Sequence, residues 1–203
     1  MEQSPENLFS QIAQDNLVLN VFKHHSFRVM YLSTMLAKEV ECYDEDMRIS
    51  ALLHDIGKMG LSSEILLKPS RLTDLEMTIV ESHSHIGNTI VRKVLGKTRP
   101  AKFVRDHHEN WDGTGYPRRL EGEEISLQGR IIRICDSFDT MTYDRRVYHK
   151  NNLSHQEAIH ELRRCKWKQY DGDLVETFIS LIEKNNLPED WYDQYNKEAL
   201  EEM

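Results

Sequence analysis

Seven of the ten histidines fall between His24 and His108, several of them beside an aspartate or another histidine. Imidazole and carboxylate together supply the mixed nitrogen and oxygen donors that suit Fe, Mn, Zn, Ni or Co, whereas Mg and Ca favour oxygen shells. In chain order, His25, His54-Asp55, His83, His107-His108 and Asp136 offer five imidazoles and two carboxylates. A single zinc would use about four such groups. The larger set fits two divalent metal ions sharing a carboxylate, with Asp55 as the bridge. Paired ions roughly 3.5–4 Å apart clamp the attacking and leaving oxygens in phosphoester hydrolysis and lower the pKa of water to supply a nucleophile near neutral pH. A lone histidine on an apolar helix face is more often a satisfied core residue than a ligand. The expectation therefore rests on the seven residues jointly.

The elements that must position them read as helices. Apolar residues recur three and four apart along most of the chain, with few alternating Val, Ile or Thr runs, so the fold class is all-α. A first helix begins after Ser4-Pro5 with Leu8, Phe9 and Ile12 on its apolar stripe, and Asn16 interrupts it. A second runs through Phe27, Met30, Tyr31 and Met35 to the acidic ECYDED segment, where Asp44 is placed to cap a third that runs into His54-Asp55. GLSSEILLKPS reads as a loop. Thr73 with Glu76, and Ser154 with Glu157, are capping boxes opening further helices, the first leading to His83. Ser126 to Met141 fits a long helix with Ile131, Ile134, Cys135 and Phe138 inward, and Leu174 to Ile182 another. HHENWDGTGYPRRLEGEEI is too rich in glycine for regular helix and reads as a structured loop, with Trp111 as its buried anchor and Glu109 as a second acceptor for a ligand imidazole. The C-terminal EDWYDQYNKEALEEM is a last helix or a tail.

Composition bounds the rest. At 203 residues with 39% hydrophobic and 30% charged, the chain suits one packed domain. It has no apolar run long enough for a membrane span, and its polar start lacks an export signal, which places it in the cytoplasm. A net charge of −8 argues against nucleic acid polymers as partners. Cys42, Cys135 and Cys165 form no CxxC pair and read as reduced thiols.

HDIGK, ILLKPSRLT, HHENWDGTGYP and DSFDTMTYDR, in this order and at these separations, resemble the HD-GYP family of the HD phosphohydrolases over about residues 25–180. The resemblance implies a single helical HD-type domain with a metal site inside the bundle, spanning 23–186, with an N-terminal helical extension at 1–22 and a C-terminal helix or tail at 187–203. It implies a phosphodiesterase that hydrolyses cyclic di-GMP to linear pGpG and/or GMP, or one acting on another cyclic dinucleotide such as cyclic GMP-AMP; a catalytically silent receptor is the competing class. Fe or Mn is the implied metal.

Residue by residue, the resemblance assigns His54 and Asp55 to the HD pair, His107 and His108 to the paired histidines, and Asp136 to the late aspartate. It prefers His83 over His85 because Gly87 follows four places on, and His25 over His24 because Arg28-Val29 follows. Lys58 is expected to meet a substrate phosphate, with an exposed helix-end lysine as the plain alternative. Asp139 and Arg145 match positions on the substrate side, Asp139 orienting water or a base. Tyr116, in Gly115-Tyr116-Pro117, is a candidate for substrate or for a signalling protein partner on that loop, and a homodimer is left open. The chain departs from the pattern where Val21 stands in place of a third-metal glutamate, or Asn20 if His24 is the ligand, which favours two metals. It departs again at Arg146-Val147-Tyr148, where one residue is inserted. About two dozen residues precede His25, too few for a sensory domain, so control is expected from a partner, metal redox state or expression.

Overall fold

Helices in this chain start where a side chain can accept the first free amide protons. In the computed structural model, which describes residues 5–143, 152–185, 187 and 191–192, Asn16 accepts from the Leu19 amide at 3.1 Å and separates α1 (Pro5–Asp15) from α2 (Leu17–Glu39). Asp44 accepts from the Met47 amide at 2.8 Å and opens α3 (Glu45–Leu52). A one-turn helix α4 (Ser63–Leu66) follows, then α5 (Asp74–Glu81), α6 (His83–Lys93), α7 (Thr98–Asp106) and α8 (Leu127–Thr142). Both expected capping boxes are present, Thr73 with Glu76 on α5 and Ser154 with Glu157 on α9 (His155–Arg164). Asp171 caps α10 (Gly172–Lys184). No strand occurs among the described residues, so the all-α expectation holds. No helix among them is long and apolar enough to cross a membrane. All three cysteines are free.

Two local expectations are corrected. The third helix stops at Leu52, so His54 and Asp55 lie in the turn between α3 and a 3-10 segment over Ile56–Gly60 rather than on a helix. GLSSEILLKPS is not all loop, because Ser62 accepts from the Glu64 amide at 3.2 Å and Leu66 is buried, which together close the turn of α4. Of the C-terminal segment only Leu187, Trp191 and Tyr192 are described; the remainder of that expected helix or tail lies outside the described residues.

Two large apolar clusters and a small third of Val18, Phe22 and Leu66 form the core. One joins Val29, Leu32 and Leu36 of α2 to Ile131, Ile132 and Phe138 of α8 and to Leu162, Val175 and Phe178 of α9 and α10. The other joins Phe9 of α1 and Leu19 of α2 to Ile49, Leu52, Ile56, Val91 and Val104. Ile131, Ile134, Cys135 and Phe138 all point inward as the periodicity predicts. His25 lies between Leu19 and Val29 on α2, so the candidate ligands fall along the seam of the two clusters.

The 3-10 segment meets α6 backbone to backbone. A Cβ on Gly57 would meet the His83 carbonyl oxygen at 2.0 Å and the Gly87 amide nitrogen at 2.6 Å. Only glycine lets these backbones touch. Gly57→Ala is expected to lower stability by about 1–3 kcal/mol, as for overpacking of a rigid interior; an unchanged urea midpoint would show that the segment can withdraw from α6 freely.

Candidate metal centre

Three helices end on a histidine that folds back onto them. His54 Nδ1 donates to the Ala51 carbonyl at 2.8 Å, His83 Nδ1 to Val80 at 2.6 Å, and His107 Nδ1 to Val104 at 2.5 Å. These carbonyls belong to the last turns of α3, α5 and α7, where helical partners run out. His25, in the middle of α2, has no such carbonyl free, and its Nδ1 bonds the Asp139 carboxylate at 2.6 Å. Each ring is thereby fixed with Nδ1 as donor, which leaves Nε2 as a bare lone pair.

Those lone pairs converge. His25 Nε2 lies 3.2 Å from His54 Nε2, and His83 Nε2 lies 3.3 Å from His107 Nε2. With the outer nitrogens protonated, neither contact has a proton to share, so each wants a cation. Two groups could hold a metal ion: Asp55, His83, His107 and His108 in one, and His25, His54 and Asp136 in the other. Asp55 faces both, Oδ1 lying 3.4 Å from His83 Nε2 and Oδ2 3.5 Å from His54 and 3.6 Å from His25. Its buried Oδ1 has no hydrogen-bond partner among the described residues, and an orphaned carboxylate oxygen inside a protein is costly unless a cation meets it. The donor set, the facing lone pairs and this oxygen fit metal ions.

The electrostatics agree. Burial lowers the pKa of His54, lowers that of His83 to about 4, and holds His107 and His108 well below the ordinary range, the last two also through neighbouring imidazoles. Burial alone would raise Asp55, yet Lys58, His54 and His83 hold it well below the usual carboxylate range. Neutral imidazoles and an ionised carboxylate at pH 7 are the forms that bind metal.

All seven residues expected as ligands are therefore brought together. His24 is exposed, with its Nδ1 3.1 Å from the Tyr192 hydroxyl, and His85 is exposed on α6, so neither faces the cluster. Lys58 is buried rather than an exposed helix-end lysine, its Nζ 2.5 Å from Asp55 Oδ2 and 4.4 Å from the Phe22 ring. Asp139 is fully buried behind His25, taking Arg28 Nε at 2.6 Å and Nη2 at 3.0 Å. Tyr116 is half-buried and stacks on His108 at 4.8 Å beyond the cluster. Glu109 does not reach an imidazole; its carboxylate accepts from the Arg118 and Leu120 amides and ties the loop to itself. Trp111 anchors that loop through its amide on the Gln169 carbonyl and its ring against Trp167. Arg145, with the Arg146-Val147-Tyr148 departure, lies outside the described residues. Sequence reasoning used Arg28 only as a register mark; a cation one turn after a candidate ligand, on the buried face of an apolar helix, was the signal that it supports that ligand.

A family model described as HD domain matches residues 7–174. The chain belongs to that family. Within the HD domain family it is an HD-GYP member, as its motifs and relatives agree. It is 40% identical over 162 residues to a cyclic di-GMP phosphodiesterase of Thermotoga maritima, covering 77% of this chain and 44% of the relative. It is 41% identical over 124 residues to a 3'3'-cGAMP-specific phosphodiesterase of Vibrio cholerae, covering 60% of this chain and 27% of the relative. The chain thus spans less than half the length of these relatives. Among solved structures, the HD domain of the Listeria monocytogenes phosphodiesterase PgpH in complex with cyclic-di-AMP superposes with a TM-score of 0.60 at 17% identity, covering 88% of this chain and 95% of that one. At that identity the likeness speaks for the HD fold alone.

The lowered His83 pKa makes a prediction for the metal-free protein. An imidazole that is harder to protonate when folded than when unfolded contributes stability that is complete above its unfolded pKa of about 6.5 and is lost as pH falls toward the folded value. Urea unfolding of the chelated protein should show stability falling between pH 6.5 and about 4, by about 3 kcal/mol from this residue, with a shallower fall in His83→Gln. A flat profile would mean that the ring is not buried in its neutral form.

Proposed function

We propose that this HD-GYP chain carries, with residues 23–186 as its catalytic body, a metal-dependent phosphodiesterase that opens cyclic di-GMP to linear pGpG and on to GMP. The observation that carries the proposal is the convergence of five imidazoles and two carboxylates on two adjoining sites that Asp55 faces with both oxygens. His83, His107 and His108 would hold one divalent ion and His25, His54 and Asp136 the other, with Asp55 between them. When bound, such ions supply positive charge for the phosphate and an activated water for in-line attack. The chain's own part is orientation: backbone carbonyls fix three rings, and Asp139, clamped by Arg28, fixes the fourth. Lys58 neutralises Asp55 and is the nearest side-chain cation for a phosphate oxygen, while Tyr116 presents an aromatic face at His108 for a nucleobase. Iron or manganese suits this nitrogen-rich set, and the cytoplasm is the setting we propose.

Cyclic GMP-AMP is the second reading, favoured by the relative specific for that dinucleotide. Protein loaded anaerobically with ferrous iron or manganese and given both dinucleotides is expected to consume at least one to a linear product, with chelation stopping it. Asp55→Ala should lose metal retention and turnover together; turnover that survives either treatment would refute the metal mechanism. Asp139→Asn is expected to weaken metal affinity by about 10–100-fold, the usual cost of losing a group that orients a ligand, read by chelator competition; unchanged affinity would reduce Asp139 to a core ion pair.

A further inference from the structure

One cation near the centre is left without an anion. Every other buried or half-buried arginine among the described residues has a carboxylate partner: Arg28 pairs with Asp139, Arg48 with Glu45, Arg105 with Asp106 and Arg130 with Asp171. Arg133, half-buried on α8, forms no ion pair among the described residues. Its terminal nitrogens reach neutral acceptors, Nη2 to Asn110 Oδ1 at 3.2 Å and Nη1 to Ser137 Oγ at 3.4 Å, its Cζ lies 5.7 Å over the Tyr170 ring, and its buried Nε meets no acceptor. A guanidinium taken partly out of water without an anion is an unfavourable arrangement unless a ligand completes it. The nearby carboxylates cannot do so: Glu109 is spent on two loop amides and Asp171 on Arg130.

The position is informative. Asn110 stands two residues after His108, and Ser137 directly follows Asp136, so Arg133 bridges the two segments that bring one proposed ligand to each metal position.

Resting on the phosphodiesterase reading above, we propose that Arg133 is a substrate-binding residue that holds the second phosphodiester of a cyclic dinucleotide while the first sits at the metal centre. Such a substrate carries two phosphates and the centre can work on one. Lys58 and Arg28, the other described cations beside the centre, are committed to Asp55 and Asp139, whereas Arg133 can exchange two weak neutral contacts for a bidentate phosphate.

The test compares cyclic di-GMP with GpG, which keeps both guanines but has a single phosphodiester, in the metal-loaded wild type, Arg133→Met and Arg133→Lys. Loss of a charge-assisted contact should lower kcat/KM of Arg133→Met for cyclic di-GMP by about 10–100-fold, leave GpG within about twofold, and be partly restored in Arg133→Lys. Calorimetric binding of the two ligands, run alongside, should show the same contrast independently of turnover. Equal losses on both ligands would assign Arg133 to guanine recognition or to holding the loop through Asn110, and no loss on either would leave it a surface cation; each overturns the proposal. A wild type that binds both ligands but turns over neither would refute the phosphodiesterase reading while the binding contrast still decides Arg133. One that binds neither would refute both.

Discussion

The structure depends on where four imidazole protons are held. Once Nδ1 of His25, His54, His83 and His107 is tied outward, each Nε2 can only present a lone pair inward, and the seam between the two apolar clusters becomes a cavity wall of electron pairs. Facing lone pairs inside a low-dielectric interior are unfavourable unless a cation meets them, and these rings are buried. The free energy needed to hold them comes from the surrounding packing, in which Val29, Leu32, Ile132 and Cys135 on one side and Leu52 and Val104 on the other are almost wholly removed from solvent. Stability is thereby traded for a preorganised set of donors, so that a cation finds ligands already oriented.

The same tether explains the helix boundaries. A helix that ends leaves carbonyls without partners, and in α3, α5 and α7 a histidine side chain takes one of them. The three short helices therefore stop at the centre, with His54 and His107 in the turns that follow α3 and α7 and His83 at the first position of α6. α2 runs past the centre, and there the orienting group for His25 comes from α8, as Asp139 held by Arg28 in a buried pair spanning the two helices.

This division marks what the sequence could disclose. Donor types, their order and the capping residues are local properties, and Asn16, Asp44, Thr73 and Ser154 do in the structure what their spacing predicts. The seven donors were legible because each carries its chemistry in its identity. What was not legible depends on pairing between distant segments. Asp139 reads as a free carboxylate until Arg28, 111 residues away in the chain, is seen to occupy it. Glu109 reads as a partner for an imidazole until the loop folds back and offers two amides instead. α5 has an amphipathic pattern but buries no residue and leaves Leu75 72% exposed, because periodicity cannot say whether a second surface arrives to cover it.

Charge placement then reconciles an acidic protein with an anionic ligand. Besides Asp136, which faces His25 and His54, three carboxylates flank the centre and each has a cation beside it: Asp55 has Lys58, Asp139 has Arg28, and Asp106, which directly precedes His107, has Arg118. These pairs fix geometry without adding net field, since at close range the partners cancel. The −8 of the whole chain is carried elsewhere, and exposed charges beyond about 8 Å are screened at physiological ionic strength. On the loop side Arg133 has no carboxylate partner among the described residues. The net charge of the chain is therefore a poor guide to the charges beside its histidine cluster.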